Sequence, residues 1–182
     1  MSSKDKLQFV IQKHAATSLH YDFRLEIGDT MPSWAIPKGP TLDPSQKRLA
    51  MMTTDHDLEY RHFEGNIPEG QYGAGAVMVW DYGNYTPEIE ISKGVRQQVK
   101  NPAQGNKVIE EGLKKGEIKF FLKGKKINGS FALVKTKNFG PKNSWLLIKH
   151  KDEYDKSGYD ANDYDYSAKS KKNLKEIAQS SK

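Results

Sequence analysis

The sequence predicts a mainly β protein built on a closed or sandwiched antiparallel sheet, with one or two short peripheral helices. Several short runs alternate apolar and polar residues at the period of a strand, whose successive side chains point to opposite faces. Gly, Pro, Asn and Asp separate these runs, as in Pro37-Lys38-Gly39-Pro40 and in Gly70 to Gly75. Many short strands with turn signals between them are the pattern of a barrel or sandwich.

The first strand candidate is Phe9 to His14, where Phe9 and Ile11 alternate with Val10, Gln12 and His14. The second is clearer: Leu19, Tyr21, Phe23, Leu25 and Ile27 fall on one face, and His20, Asp22, Arg24 and Glu26 on the other. Gly28 and Asp29 then make a turn. Further strands are expected at 33–36, 48–52, 76–80, 118–122, 130–136 and 145–150. Lys107 to Lys115 reads as a short helix with Val108, Ile109 and Leu113 inward. Asn173 to Gln179 reads as a second, capped by Asn173. The composition shifts after about Lys151, so the expected organisation is one domain over residues 1–155 and a loosely packed polar tail over 156–182. The alternative is that the tail packs its tyrosines on the barrel.

A chain of 182 residues suits one domain, or one domain with a tail. Hydrophobic residues make up 36% and charged residues 29%, polar enough that an unpacked segment is expected. There is no cysteine, so disulfides and thiolate metal sites are excluded and a metal would need His, carboxylate or water. No apolar run approaches the roughly 20 residues that span a bilayer. The start, Met1 to Lys6, is charged and lacks a signal-peptide apolar stretch. The expectation is a soluble cytoplasmic protein. The net charge of +6 favours a polyanion such as nucleic acid, and equally fits an ordinary basic surface.

The chemistry is concentrated on the polar strand face. His20 and Asp22, two apart, project in parallel, and Gln12 and His14 share a face just upstream. Ala15 to Ser18 is long enough to turn the chain back and bring His14 beside them. Two imidazoles and a carboxylate suit manganese, iron or zinc. Arg24, one step along the face, could grip a phosphate with its planar fork. The competing reading is a hydrophilic outer face with incidental histidines. Lys38, Arg48, His56 and Tyr60 form a second polar group, in which Asp55 could orient His56. His62 and His150 read as surface residues. Glu64 to Gly75 lacks the Gly-Lys-Ser/Thr ending of a P-loop and reads as a structural turn.

The run Gln12-Lys13-His14-Ala15-Ala16-Thr17-Ser18-Leu19-His20-Tyr21-Asp22-Phe23-Arg24-Leu25-Glu26 resembles the opening motif of the 3′-phosphoesterase module of bacterial DNA ligase D. The resemblance continues through Ser33 to Pro40, Asp55-His56, Phe63-Glu64-Gly65, Ile67 to Gly70, Trp80-Asp81 and Trp145 to Lys149, covering roughly residues 8 to 155. It implies a compact β-barrel with a polar groove. It implies a manganese-dependent enzyme, or one using another divalent transition metal, that removes a 3′-terminal ribonucleotide and then the 3′-phosphate left behind, giving a ligatable 3′-OH in non-homologous end joining.

By position, His14, His20 and Asp22 match the metal ligands; Arg24, His56 and Tyr60 match phosphate-contacting and catalytic groups; Gln12, Lys38 and Arg48 match supporting site residues. The implied partners are DNA primer-template 3′ ends and separate ligase, polymerase and end-binding repair proteins, with no membrane. Two departures from the family pattern are visible. Eleven residues precede Gln12, too few for the arm of longer relatives, and Thr54 stands where the family often has Glu. Both point to a weaker second step. The rival functions are a non-catalytic DNA-end-binding module and a hydrolase of a small phosphoester.

Overall fold

The first strand pairs along both edges, which closes the sheet on itself. The computed structural model describes residues 6–137 and 140–180. β1 (Leu7–Ala15) pairs antiparallel with β2 (Leu19–Leu25) and with β6 (Gly75–Ser92). Between these lie β3 (Thr30–Ile36), β4 (Arg48–Asp57) and the short β5 (Gly65–Ile67). Beyond them lie β7 (Val95–Gln98), helix α1 (Pro102–Lys115), β8 (Glu117–Gly124), β9 (Asn128–Lys135), β10 (Ser144–Lys149) and helix α2 (Leu174–Ser180). The order β1-β2-β3-β4-β10-β9-β8-β6 returns to β1, an eight-stranded antiparallel barrel, with β5 and β7 paired to β6 outside the ring. Closure removes the free edges that an open sheet would offer to other chains. Of the eleven residues before Gln12, Leu7 to Ile11 belong to β1 and Met1 to Asp5 lie outside the described residues.

The alternation in β2 decides the two sides of the wall. Tyr21, Phe23 and Leu25 enter a core with Phe9, Ile11, Trp34, Phe120, Phe131 and Trp145. The Phe23 and Phe120 rings stack with centroids 5.6 Å apart, and Trp34 meets Trp145 edge-on at 5.7 Å. Aromatic pairs in these arrangements add to the stabilisation from burial. The opposite face carries Gln12, His14, Asp22 and Arg24, which are also buried, because later segments fold over it.

Several expectations are extended or overturned. β6 runs 18 residues rather than five. Gly83 is not a break: a Cβ there would meet the Lys123 carbonyl oxygen at 1.9 Å, so glycine permits the close approach of β8. α1 begins at Pro102, with Asn101 accepting from Gln104 N (3.1 Å) and Pro102 in the first turn, where its missing N–H costs nothing. Ile109 is buried as expected.

The described part of the tail, residues 156–180, packs on the barrel. Tyr159, Ala161 and Ile177 are buried in the core. Trp80 Nε1 donates to the Tyr164 carbonyl (2.9 Å), Tyr21 OH to Asn162 Oδ1 (2.7 Å) and Lys13 Nζ to Asp165 (3.0 Å). The polar composition misleads because the few apolar side chains are spaced to reach the barrel, while the polar ones tie to it. α2 starts with a reciprocal cap: Asn173 Oδ1 accepts from Glu176 N (2.9 Å), and Glu176 accepts from Asn173 N (3.2 Å). His150 is also no free surface residue. Its Nδ1 lies 2.7 Å from Ser130 Oγ, and burial, with the cations Arg96, Lys119 and Lys149, pushes its pKa down to about 4.

Candidate active site

The β1–β2 register places Gln12 opposite Asp22 and His14 opposite His20. The loop between the strands therefore does what its length predicts. His14, His20 and Asp22 each offer one ligand atom, and these atoms all lie within 4.8 Å of one another. His20 Nε2 is 3.2 Å from Asp22 Oδ2, and His14 Nδ1 is 3.8 Å from the same oxygen. The imidazoles are oriented from behind: His20 Nδ1 faces the Ser18 carbonyl (2.9 Å), and His14 Nε2 the Gly73 carbonyl (2.7 Å). Such partners fix ring orientation and tautomer in metal-binding histidines.

Electrostatics keep the carboxylate charged. Burial opposes ionisation of Asp22, but His14, His20 and Arg24 together hold it well below the usual carboxylate range. The hydrogen bond to Asp22 raises His20 in turn. A preformed anionic oxygen between two imidazoles fits a divalent transition metal.

Arg24 forms the floor next to this cluster and is only 3% exposed. Each guanidinium nitrogen has its own neighbour. Nε donates to Gln12 Oε1 (2.6 Å), one terminal nitrogen lies 3.0 Å from His56 Nδ1, and the other lies 3.5 Å from Asp22. The guanidinium also sits over the Tyr60 ring, 5.0 Å from its centre. Gln12 is fully buried and donates to the Tyr60 (2.8 Å) and Phe63 (3.1 Å) carbonyls. It thus braces the 3-10 turn Leu58–His62 against the barrel rather than facing a ligand.

His56 reaches the outer face because a β3–β4 irregularity pairs it with Met31. Its Nδ1 lies 3.0 Å from the Thr54 carbonyl, so Thr54 and Arg24, not Asp55, orient the ring. Burial and the Arg24 charge lower its pKa. The Tyr60 ring lies 4.9 Å from that of His56, and burial raises its hydroxyl pKa.

Two expected residues, Arg48 and Lys38, make no hydrogen bond within the cluster. Arg48 shares a face of β4 with the buried Ala50, which turns it to the inner side of the wall, and it donates to Gln46 Oε1 (3.0 Å). Lys38 is exposed in the turn after β3, at the barrel end where β2 begins. Within the Glu64 to Gly75 segment, Gly65–Ile67 form β5 and only the stretch after Pro68 is the expected turn; sequence reading also missed its contribution to the site, where the Gly73 carbonyl positions His14 and Glu64 accepts from Val79 N (2.8 Å). A positive φ of 77° at Gly73 is the backbone requirement that the glycine signals.

Residues 12–135 match the DNA ligase D 3′-phosphoesterase domain family. A relative from Pseudomonas aeruginosa, named multifunctional non-homologous end joining protein LigD, is 47% identical over 146 residues, covering 80% of this chain and 15% of that protein. The protein of the same name from Mycolicibacterium smegmatis is 39% identical over 146 residues, 80% of this chain and 17% of its own length. That of Mycobacterium tuberculosis, a multifunctional non-homologous end joining DNA repair protein, is 37% identical over 152 residues, 84% of this chain and 17% of its own length. The chain thus corresponds to a small part of these relatives, and it belongs to the DNA ligase D 3′-phosphoesterase domain family.

Proposed function

We propose that the protein is a metal-dependent phosphoesterase that processes the 3′ ends of DNA strands. The observation that carries this reading is the convergence of His14, His20 and Asp22 beside the Arg24–His56–Tyr60 group. His14, His20 and Asp22 would hold one divalent cation, with Mn2+ the first choice. Bound there, such a cation polarises a phosphoryl oxygen and lowers the pKa of a water.

The remaining chemistry belongs to the chain. Arg24 places a fixed positive charge under the phosphate, in a poorly solvated wall where its field is strong. His56 is held neutral in the free protein by burial and by Arg24. An incoming phosphate adds negative charge beside it and favours the imidazolium, which can then give its proton to the leaving oxygen. The Tyr60 hydroxyl, kept protonated, can donate to a non-bridging oxygen.

We assign the order of steps as hydrolysis of the terminal phosphodiester, which releases the 3′-terminal ribonucleoside and leaves its phosphate on the strand, then slower removal of that 3′-phosphate. A monoester carries nearly two negative charges near neutral pH, whereas a diester carries one, so the second step needs more compensating charge. Thr54 contributes only its carbonyl to His56. The setting follows the end-joining role named for the relatives: a cytoplasmic, nucleoid-associated protein working on primer-template ends before ligase and polymerase activities use the 3′-OH.

A time course with Mn2+ on a duplex primer ending in one ribonucleotide tests this. The 3′-phosphate strand should accumulate before the 3′-OH strand. Binding of the duplex without turnover would replace the enzyme by an end-binding module, and turnover of small phosphoesters alone would remove DNA as the substrate.

A further inference from the structure

The outer face of β1 does not end at the candidate active site. From Gln12 it continues through Val10 to Gln8, and beside these lies a cavity of about 440 Å³. Its walls include Gln8, Arg61, Tyr82, Asn84, Lys125 and Lys169, and among the described residues no carboxylate lines it. The register Val10↔Tyr82 and Val10↔Arg24 sets this cavity and the Arg24 floor on the two sides of one strand position. Lys125 and Lys169 are exposed, and Tyr82 is 38% exposed, with the Lys125 ammonium 5.4 Å from its ring centre. Arg61 is held by Gln8 Oε1 (2.9 Å) and the Leu58 carbonyl (2.8 Å), which fixes its charge at the rim.

We propose that this cavity is the binding groove for the nucleic acid strand that carries the reacting 3′ end, upstream of the scissile phosphate. The inference rests on the phosphoesterase reading for the strand's direction. The groove itself stands on charge, shape and continuity. Three cations and an exposed aromatic ring form the combination that tracks a phosphate backbone and supports a base or sugar. Gln8 lies four residues from Gln12, about 13 Å at the rise of a strand, or roughly four steps of duplex at 3.4 Å each. The groove therefore selects a polynucleotide over a mononucleotide, which would occupy only the metal end.

The test uses the full chain with Lys125→Ala/Lys169→Ala. Arg61 is left alone because it also braces the turn that carries Tyr60. Anisotropy of a labelled primer-template duplex with a 3′-OH end is measured across a salt series, with melting curves as a fold control. The variant should bind about tenfold or more weakly, and its log K against log salt should be shallower by about 1.8 if each lysine contacts one phosphate. KM for the ribonucleotide-ended duplex should rise with kcat retained, while turnover of a dinucleotide should not change. Unchanged affinity and salt slope in a folded variant overturn the groove. A wild-type protein that binds with the expected lysine dependence yet hydrolyses neither substrate refutes the phosphoesterase reading and leaves the groove standing.

Discussion

Arg24→Lys separates the geometry of the site from its charge. The substitution keeps one positive charge near Asp22, so the electrostatic setting of the metal ligands is largely retained. What it removes is the fork. Arg24 uses three different nitrogens toward Gln12, His56 and Asp22, at 2.6, 3.0 and 3.5 Å. A lysine ammonium carries its three donors on one nitrogen, so it cannot span the three positions that the fork reaches. At least one of the two hydrogen bonds, to Gln12 or to His56, is lost, at about 1.5–3 kcal/mol for a bond to a charged group, less whatever relaxation and water recover. Removal of one preorganised donor from a transition state costs about 2.7–4 kcal/mol, or roughly 10²- to 10³-fold in kcat. We expect kcat on the ribonucleotide-ended primer to fall by that factor while Mn2+ binding, followed by calorimetry, stays within about threefold, because the ammonium keeps a positive charge beside Asp22 and the lost hydrogen bonds, to Gln12 and His56, involve no expected metal ligand. Gln12→Ala should lower kcat in the same direction and add little in the double variant, since Gln12 acts through Arg24. Turnover within threefold of wild type would refute the fork argument. Loss of Mn2+ binding would move Arg24 from the phosphate to the support of the metal ligands.

Asp22→Asn replaces the anionic oxygen shared by His14 and His20, and should abolish stoichiometric Mn2+ uptake as read by calorimetry or metal content; retained uptake would displace Asp22 from the ligand set. Ile177 is 2% exposed, so Ile177→Ala should cost about 2 kcal/mol, at the low end for a buried site because α2 is terminal, lowering Tm by about 4–8 °C in a chain of this size; an unchanged Tm would restore the loose tail. The folded His150 pKa, about 4, lies below the ordinary 6.5. The unfolded chain therefore takes up this proton first as pH falls, and the contribution of His150 to stability is present above about 6.5 and lost progressively toward about 4. His150→Gln should flatten the fall in urea midpoint over that window, and identical slopes would refute the assignment.

Alternation along β2 was enough to sort Tyr21, Phe23 and Leu25 to the core and His20, Asp22 and Arg24 to the other face, because the period-two geometry of a strand is local. The spacing of His14 and His20 around a short loop likewise foretold their pairing, since a hairpin fixes its own register. The motif run carried the family. Other features depend on contacts far apart in sequence. Barrel closure needs β1 to meet β6, more than sixty residues later, and nothing within either strand states that pairing. His56 enters the site through a register irregularity between β3 and β4, whereas Arg48 at the opposite end of β4 turns to the inner side. Side-chain type alone does not distinguish these two fates. The bracing of His14 by Gly73, and of Arg24 by the fully buried Gln12, appears only when the segment from Leu58 to Gly75 folds over the β1–β2 face. That covering converts a polar strand face, which the sequence describes equally well as a solvated surface, into a poorly hydrated site in which charges and hydrogen bonds act strongly.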